Sequence, residues 1–147
     1  MVDEPLVHFR WPVRVYWEDT DAGGVVFYAN YLKFFERART EWLRSLGPAQ
    51  EGMRRAGQGM FVVSETRMRY LRPARLDDEL TVTVCLTEKG RASLTLVQQC
   101  WRAGTLLVEG DIRIGWVVPQ ADDALRPARM PAEVLAALPV HTDAAQS

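Results

Sequence analysis

Histidine and cysteine are scarce in this chain, with two of each among 147 residues. His8 and His141 lie near opposite ends, so the sequence offers no basis for a histidine-containing triad or metal site, and we interpret both as surface residues. Cys85 and Cys100 fall in strand-like segments without the spacing of a zinc site. We therefore expect two reduced core thiols and no metal.

Long apolar runs and an excess of one charge are also lacking. The longest apolar runs, such as residues 25–29, are far too short to span a membrane. Residues 1–5 are acidic and do not resemble a secretory signal, so a cytoplasmic location without membrane insertion is expected. Eighteen basic and 19 acidic residues give a net charge of −1, which argues against nucleic-acid binding. A composition of 48% hydrophobic and 25% charged residues is typical of a globular domain.

The first half of the chain predicts one strand, one turn and one long helix. Residues 1–10 are interpreted as a loose lead-in, and residues 13–17 are rich in β-branched and aromatic residues, as strands are. Residues 19–24 have the composition of a turn. An apolar stripe at helical spacing predicts a helix over residues 30–46, with Asn30 as N-cap and Gly47-Pro48 as the stop. A shorter helix is expected over residues 49–56.

The second half changes to a period of two, which is typical of strands. Segments 61–71, 80–86, 92–102 and 105–118 are separated mostly by short turns, so they should pair antiparallel. The predicted fold class is α+β, with a five-stranded antiparallel sheet wrapped around the long helix. We expect residues 1–130 to form one domain and residues 131–147 to form a short helix and a frayed tail.

The strand faces left exposed by one helix still carry valine, leucine and tryptophan. Trp101 and Trp116 are expected on these faces. Because such a surface is unfavourable in water, the sequence predicts a homo-oligomer, either a dimer or a tetramer built from two dimers.

The densest group of candidate functional residues lies where the first strand ends and the long helix begins. Glu18, Asp19 and Asp21 are alternative catalytic carboxylates, and their spacing does not distinguish them. The start of a helix offers unpaired N–H groups that can polarise a carbonyl. An Asx turn followed by a helix cap would account for the same residues without any catalytic role.

Three segments, residues 10–26, 31–44 and 73–78, resemble the YbgC-like branch of the 4-hydroxybenzoyl-CoA thioesterase family. The resemblance runs from about residue 10 to about residue 131. It implies a hotdog fold, hydrolysis of acyl-CoA thioesters, no metal or organic cofactor, and sites formed between subunits. It also implies that Asp21 is the catalytic residue, as nucleophile or general base, and that N–H groups around Phe27 and Tyr28 polarise the carbonyl. YbgC-like proteins usually carry histidine where this chain has Tyr28, whereas 4-hydroxybenzoyl-CoA members carry tyrosine.

The remaining site predictions concern the two ends of the substrate, an acyl-CoA or acyl carrier protein thioester. The acyl group is assigned to Val26, Phe27, Tyr28, Ser64 and Thr66. The CoA phosphates are assigned to Arg72, Arg75, Lys89 and Arg91. Glu36 could face the site but is more typical of a solvated helix charge.

Two other functions are compatible with such a fold. A dehydratase on the same scaffold usually needs an Asp/His pair, and no histidine lies near the turn. A non-catalytic acyl-carrier or partner-binding module of the envelope or lipid-metabolism machinery would gain nothing from a carboxylate at position 21.

Overall fold

The computed structural model describes residues 7–140. Its helices and strands follow the predicted order closely, with two short 3-10 turns at Trp17–Asp19 and Tyr28–Asn30. The elements are β1 Phe9–Arg14, α1 Tyr31–Ser45, α2 Ala49–Arg55, β2 Met60–Tyr70, β3 Glu79–Lys89, β4 Ser93–Arg102, β5 Thr105–Pro119, β6 Leu125–Pro127 and α3 Ala132–Ala137.

The strands form one antiparallel sheet in the order β1-β3-β4-β5-β2. The short strand β6 pairs with the end of β5 and makes the count six rather than five. Tight connections enforce the antiparallel pairing, as at Ala103 and Gly104, which both adopt positive φ angles between β4 and β5. The predicted antiparallel sheet around a long helix is confirmed.

Helix α1 packs its apolar stripe against one face of this sheet. The stripe consists of fully buried or nearly fully buried side chains at Tyr31, Phe34, Phe35, Ala38 and Trp42. Burying each large side chain contributes about 1.5–3 kcal/mol. The fit is close at Gly110, where an added Cβ would lie 2.8 Å from the Phe35 ring and 2.7 Å from the Met68 sulfur. Any side chain at position 110 would therefore force helix and sheet apart.

The opposite face of the sheet is largely polar, and of the two tryptophans expected there only Trp101 lies on it, across from Thr81. Trp116 is only 1% exposed and packs against Phe61 with 5.0 Å between ring centroids. It alternates in phase with Ile112 and Ile114, which also point into the core, while Trp101 is half-buried. On the outer face, oppositely charged residues of β2 and β5 lie directly across from each other: Glu65 and Arg113, Arg67 and Asp111, Arg69 and Glu109.

The first strand begins earlier than predicted. β1 starts at Phe9 rather than near residue 13, and the chain leaves the sheet after Arg14, so Trp17 belongs to a 3-10 turn. His8 is half-buried rather than a plain surface residue. Its Nδ1 accepts a bond of 2.9 Å from the Leu86 N–H, and its Nε2 lies 3.2 Å from the Val140 carbonyl oxygen. The other histidine, His141, lies outside the described residues.

The end of the described chain joins the core. Met130, Val134 and Leu138 are buried against it, and the short helix expected within residues 131–147 is present as α3. The division of the chain at residue 130 stays a prediction, and the expected frayed tail lies mostly outside the described residues. Cys85 and Cys100 are both buried, and burial raises the pKa of Cys100 to about 12. None of the helices in residues 7–140 is long and apolar enough to cross a membrane.

Candidate active site

Asp21 lies at the tip of the loop that joins β1 to α1. The Asp21 N–H donates to the Val25 carbonyl over 2.8 Å, and the Gly24 N–H donates to the Asp21 carbonyl over 3.0 Å, which closes a tight turn. Gly24 adopts a φ of +79°, a value that favours glycine. The exposed Asp21 side chain accepts one bond, of 2.8 Å, from the Gly23 N–H at Oδ1. Within the described residues its Oδ2 accepts none, and that oxygen is open to a ligand.

The structure separates the three alternative carboxylates. Asp19 is 3% exposed, and both of its carboxylate oxygens are already occupied. Oδ2 accepts from the Tyr16 N–H over 2.8 Å, and Oδ1 accepts from the Asn30 Nδ2 over 2.8 Å. Glu18 is exposed on the preceding 3-10 turn. Asp21 therefore combines an open oxygen with a fixed backbone, whereas both oxygens of Asp19 already accept hydrogen bonds.

The helix entrance differs from the predicted N-cap at Asn30. Asn30 has helical dihedral angles (φ −69°, ψ −22°), and its side chain makes no capping bond because its amide binds Asp19. The extended residue that starts the helical path is Phe27 (φ −61°, ψ 132°), which has no side-chain acceptor. The helix is therefore entered without a side-chain cap.

The open N–H groups at this entrance belong to Tyr28 and Ala29. The Phe27 N–H, one of the two predicted carbonyl-polarising groups, already donates to the Asp19 carbonyl oxygen over 3.0 Å. In the part of the chain that the structure describes, the N–H groups of Tyr28 and Ala29 donate to no acceptor. The Asn30 N–H is used by the Phe27 carbonyl at 2.8 Å. Two adjacent donors are thus available to a ligand.

A second loop, between β2 and β3, supports the first. The Val26 N–H donates to the Ala74 carbonyl over 2.8 Å, and the Ala74 N–H donates to the Tyr31 hydroxyl over 2.9 Å. The second loop is in turn fixed by Arg102, whose Nη1 donates to Asp78 Oδ2 over 2.8 Å. This ion pair was missed in the sequence, because a residue at the end of β4 reveals its partner only once the strands are paired.

The surroundings of the Asp78 carboxyl shift its pKa in two opposite directions. Burial raises its pKa, but hydrogen bonds from the Arg75 N–H and the Arg102 guanidinium outweigh burial, so the pKa lies below its ordinary value. A depressed carboxyl pKa stabilises the folded state above the unfolded pKa, and that stabilisation is lost as the pH falls through the folded value. The contribution of the Asp78 carboxylate to the second loop is therefore complete at neutral pH and is lost in acid.

A cavity of about 260 Å³ opens beside the helix entrance, and three of its seven lining residues are tyrosines. The ring centroids of Tyr28 and Tyr70 are 6.1 Å apart, and those of Tyr31 and Tyr70 are 5.8 Å apart. Burial raises the pKa of Tyr31 and of Tyr70, so both hydroxyls stay protonated at neutral pH. The lining residues are Val26, Tyr28, Tyr31, Tyr70, Leu71, Arg72 and Pro73.

Two of the predicted acyl-group residues lie along β2 rather than in this cavity. Ser64 lies at a β-bulge, and its hydroxyl donates to the Arg113 carbonyl over 3.3 Å. Thr66 is exposed, four residues before Tyr70 on the same strand. Glu36 is exposed on α1 and accepts a bond of 3.3 Å from the Thr40 hydroxyl, as a solvated helix charge would.

The four predicted phosphate-binding residues divide into two groups. Arg72 lines the cavity, and Arg75 pairs through its backbone with Val25, so both border the candidate site. Lys89 and Arg91 lie at the β3–β4 hairpin, at the far end of an 11-residue strand. At about 3.3 Å per residue that strand separates the two groups by roughly 30 Å within one chain. No cluster of three or more His, Cys, Asp or Glu side chains in residues 7–140 is arranged to hold a metal.

Comparison with known proteins gives consistent results at the level of sequence. A family model described as Thioesterase superfamily matches residues 23–109. The chain is 43% identical over 129 residues to the acyl-CoA thioester hydrolase YbgC of Escherichia coli O6:H1, covering 87% of this chain and 93% of the relative. It is 41% identical to the acyl-CoA thioesterase YbgC of Haemophilus influenzae, covering 88% of this chain and 93% of that one.

Solved structures share the fold. The 4-hydroxybenzoyl-CoA thioesterase from Pseudomonas sp. strain CBS-3 superposes with a TM-score of 0.78 at 21% identity, over 88% of this chain and 97% of that one. At that identity the likeness concerns the fold. The hotdog architecture, with its antiparallel sheet and one long helix, is therefore confirmed.

Proposed function

Because this chain belongs to the thioesterase superfamily and is a thioester hydrolase, we propose that it cleaves acyl-CoA thioesters with Asp21 as its catalytic carboxylate. One observation carries the proposal: an exposed Asp21 with an open oxygen lies on the same loop as two open N–H groups at a helix entrance. The relatives named as acyl-CoA thioester hydrolases support the substrate class. Steady-state release of free thiol from a panel of acyl-CoAs tests it.

Two routes use the same groups. In the first, Asp21 attacks the thioester carbon, the C–S bond breaks, CoA leaves as a thiolate that is then protonated, and water hydrolyses the resulting mixed anhydride. In the second, Asp21 removes a proton from a water whose oxygen attacks that carbon, and the tetrahedral intermediate expels the thiolate. Either route places negative charge on the former carbonyl oxygen, and the N–H groups of Tyr28 and Ala29 would stabilise it.

The acyl group is proposed to occupy the tyrosine-lined cavity. A cavity of about 150 Å³ holds a benzene molecule, whereas pockets for larger ligands span about 300–1,000 Å³. A space of about 260 Å³ therefore suits a short aliphatic chain or a single ring. We propose that such acyl groups are preferred over long fatty acyl chains.

Tyr70→Ala is expected to shift this preference towards longer chains. The change removes the ring between Tyr28 and Tyr31 and lengthens the cavity, so kcat/KM for octanoyl-CoA relative to propionyl-CoA should rise by about tenfold or more. The measurement is the ratio of the two kcat/KM values from thiol release. Tyr70→Phe keeps the ring and is the matched control, expected to preserve the wild-type ratio. An unchanged ratio in Tyr70→Ala would place the acyl group elsewhere.

The CoA phosphates are proposed to meet Arg72 and Arg75, which border the entrance to the site. Guanidinium groups suit bidentate contact with phosphate. Lys89 and Arg91 would have to act from a neighbouring subunit, because they lie at the other end of β3 in their own chain.

An acyl carrier protein as the thiol carrier and a cytoplasmic location stay predictions.

We further propose a homo-oligomer in which two copies of β2 pair. This strand has 11 residues and lies at the edge of the sheet, where no other strand of residues 7–140 pairs with its outer side, and it carries exposed Val63 and Tyr70. Long edge strands tend to pair with another chain unless they are protected. Light scattering at micromolar concentration is expected to give at least a dimer mass, and Val63→Lys should lower that mass. A monomeric wild type would contradict the proposal.

A further inference from the structure

Two buried polar side chains lie in the loop that carries Asp21. Asp19 is 3% exposed and Asn30 is 6% exposed, and each is the last residue of a three-residue 3-10 turn. Neither side chain is directed at the cavity beside the helix entrance, whose lining contains neither. Thioester hydrolysis as described above gives them no role.

Asp19 binds three points of the loop at once. Its Oδ2 accepts from the Tyr16 N–H and its Oδ1 from the Asn30 amide, each over 2.8 Å. Its main-chain carbonyl accepts from the Phe27 N–H over 3.0 Å. One residue therefore fixes where the loop begins, where the helical path begins and where α1 begins.

These bonds determine the position of both proposed catalytic elements. Asp21 follows Asp19 by two residues, and the intervening Thr20 pairs with Val26 across the loop. Tyr28 follows Phe27 directly, so the bond between the Phe27 N–H and Asp19 fixes the first open donor. A displacement of Asp19 would move the Asp21 carboxylate and the Tyr28 N–H relative to each other.

A carboxylate is a costly group to bury at such a place. No arginine or lysine pairs with Asp19 within the described residues, and its partners are neutral N–H groups. Apolar side chains of similar size could fill the space without losing hydration. An apolar pair at positions 19 and 30 could not form these directional hydrogen bonds, which fix the distances between position 19, the Tyr16 N–H and position 30.

We propose that Asp19 and Asn30 are positioning residues that hold Asp21 and the helix-entrance N–H groups in the geometry that hydrolysis needs, an inference that rests on the proposed function. Catalysis is sensitive to such placement, since a displacement of about 1 Å can cost about 100-fold in rate. The pair acts through Asp21 and Tyr28 and does not itself contact the thioester.

Asn30→Leu is the first test, because leucine has a similar volume and cannot donate to Asp19. In protein shown to be folded by circular dichroism, kcat for propionyl-CoA should fall by about 100-fold while KM changes by less than about threefold. Asn30→Asp should behave in the same way, because two carboxylates would then face each other with no donor between them. A purely structural pair would lower the melting temperature and leave kcat in the folded protein unchanged.

Exchanging the two residues provides a rescue. In the double variant Asp19→Asn with Asn30→Asp, the amide at position 19 can donate to the carboxylate at position 30 and still accept from Tyr16. A negative charge at position 30 is tolerated by the positive end of the helix dipole. We expect the double variant to recover kcat to within about tenfold of the wild type. If Asn30→Leu does not fold, the kcat of this double variant decides whether the pair has a positioning role.

The outcomes separate this inference from the proposed function. Normal kcat in folded Asn30→Leu, or a double variant that regains the wild-type melting temperature without regaining kcat, would overturn the positioning role. Asp21→Asn, assayed in parallel, reports on the proposed function. Loss of turnover in Asp21→Asn with normal turnover in Asn30→Leu would refute the positioning role alone.

Discussion

Asp21→Asn is expected to lower kcat for acyl-CoA hydrolysis by about 1,000-fold or more while leaving the fold intact. The amide has the shape of the carboxylate, and its oxygen can still accept the Gly23 N–H that closes the turn. It lacks the negative charge needed either to attack the thioester carbon or to take a proton from water. Thiol release from propionyl-CoA, with KM determined separately, measures the effect.

Glu18→Gln is the matched control for that change. Glu18 is an exposed carboxylate three residues upstream on the same loop, so the substitution removes the same charge from the same surface. Its kcat is expected to stay within about twofold of the wild type, because exposed charges are strongly screened. A comparable loss in both variants would show that the loop needs its overall charge, and near-normal turnover in Asp21→Asn would eliminate Asp21 as the catalytic residue.

The regular elements of this protein could be predicted because their signals are local. The apolar stripe that predicts a helix over residues 30–46 matches Tyr31–Ser45, since a period near 3.6 and a Gly-Pro stop leave few alternatives. The strands from β2 to β5 were found through alternation and short turns, which depend on neighbouring residues only. These signals also define the fold class, because one long helix and one sheet have few ways to cover each other.

The site could be predicted only as far as its local sequence extends. The spacing within the Asp-Thr-Asp turn does not distinguish Asp19 from Asp21. The family resemblance favours Asp21, and the burial of Asp19 beside Asn30, eleven residues later, supports the same choice. Asn30 itself was assigned as an N-cap because asparagine favours that position, and a tertiary contact overrides the preference. Trp116 was misplaced for the same reason, since alternation reveals two faces but not which one the helix covers.

Phe27→Ser is expected to make the protein more stable and less active than Phe27→Ala. Phe27 is the extended residue before the helical path, the position where a serine oxygen can accept from the second or third helical N–H. The second helical N–H belongs to Ala29 and is one of the two donors proposed for the thioester oxygen. A serine cap would therefore stabilise the helix by about 1 kcal/mol and occupy a donor that the reaction needs.

The two variants differ by a single oxygen, which makes alanine the control for loss of the ring. Phe27 is 48% exposed, and both substitutions remove the same contact with Tyr28. Relative to Phe27→Ala, the serine variant should melt about 3–4 °C higher. Its kcat should be about 10- to 100-fold lower, since losing one such donor elsewhere costs about 10²–10³-fold.

Phe27→Thr and Phe27→Val form a second pair that differs by an acceptor oxygen at equal shape, and the same ordering is expected. If the capped variants melt higher but hydrolyse propionyl-CoA as fast as their controls, the Ala29 N–H does not hold the oxyanion. If the capped variants melt no higher than their controls, another group already accepts a hydrogen bond from the Ala29 N–H. A gain in stability tied to a loss of kcat would mean that this helix is left uncapped because its first N–H groups serve the reaction.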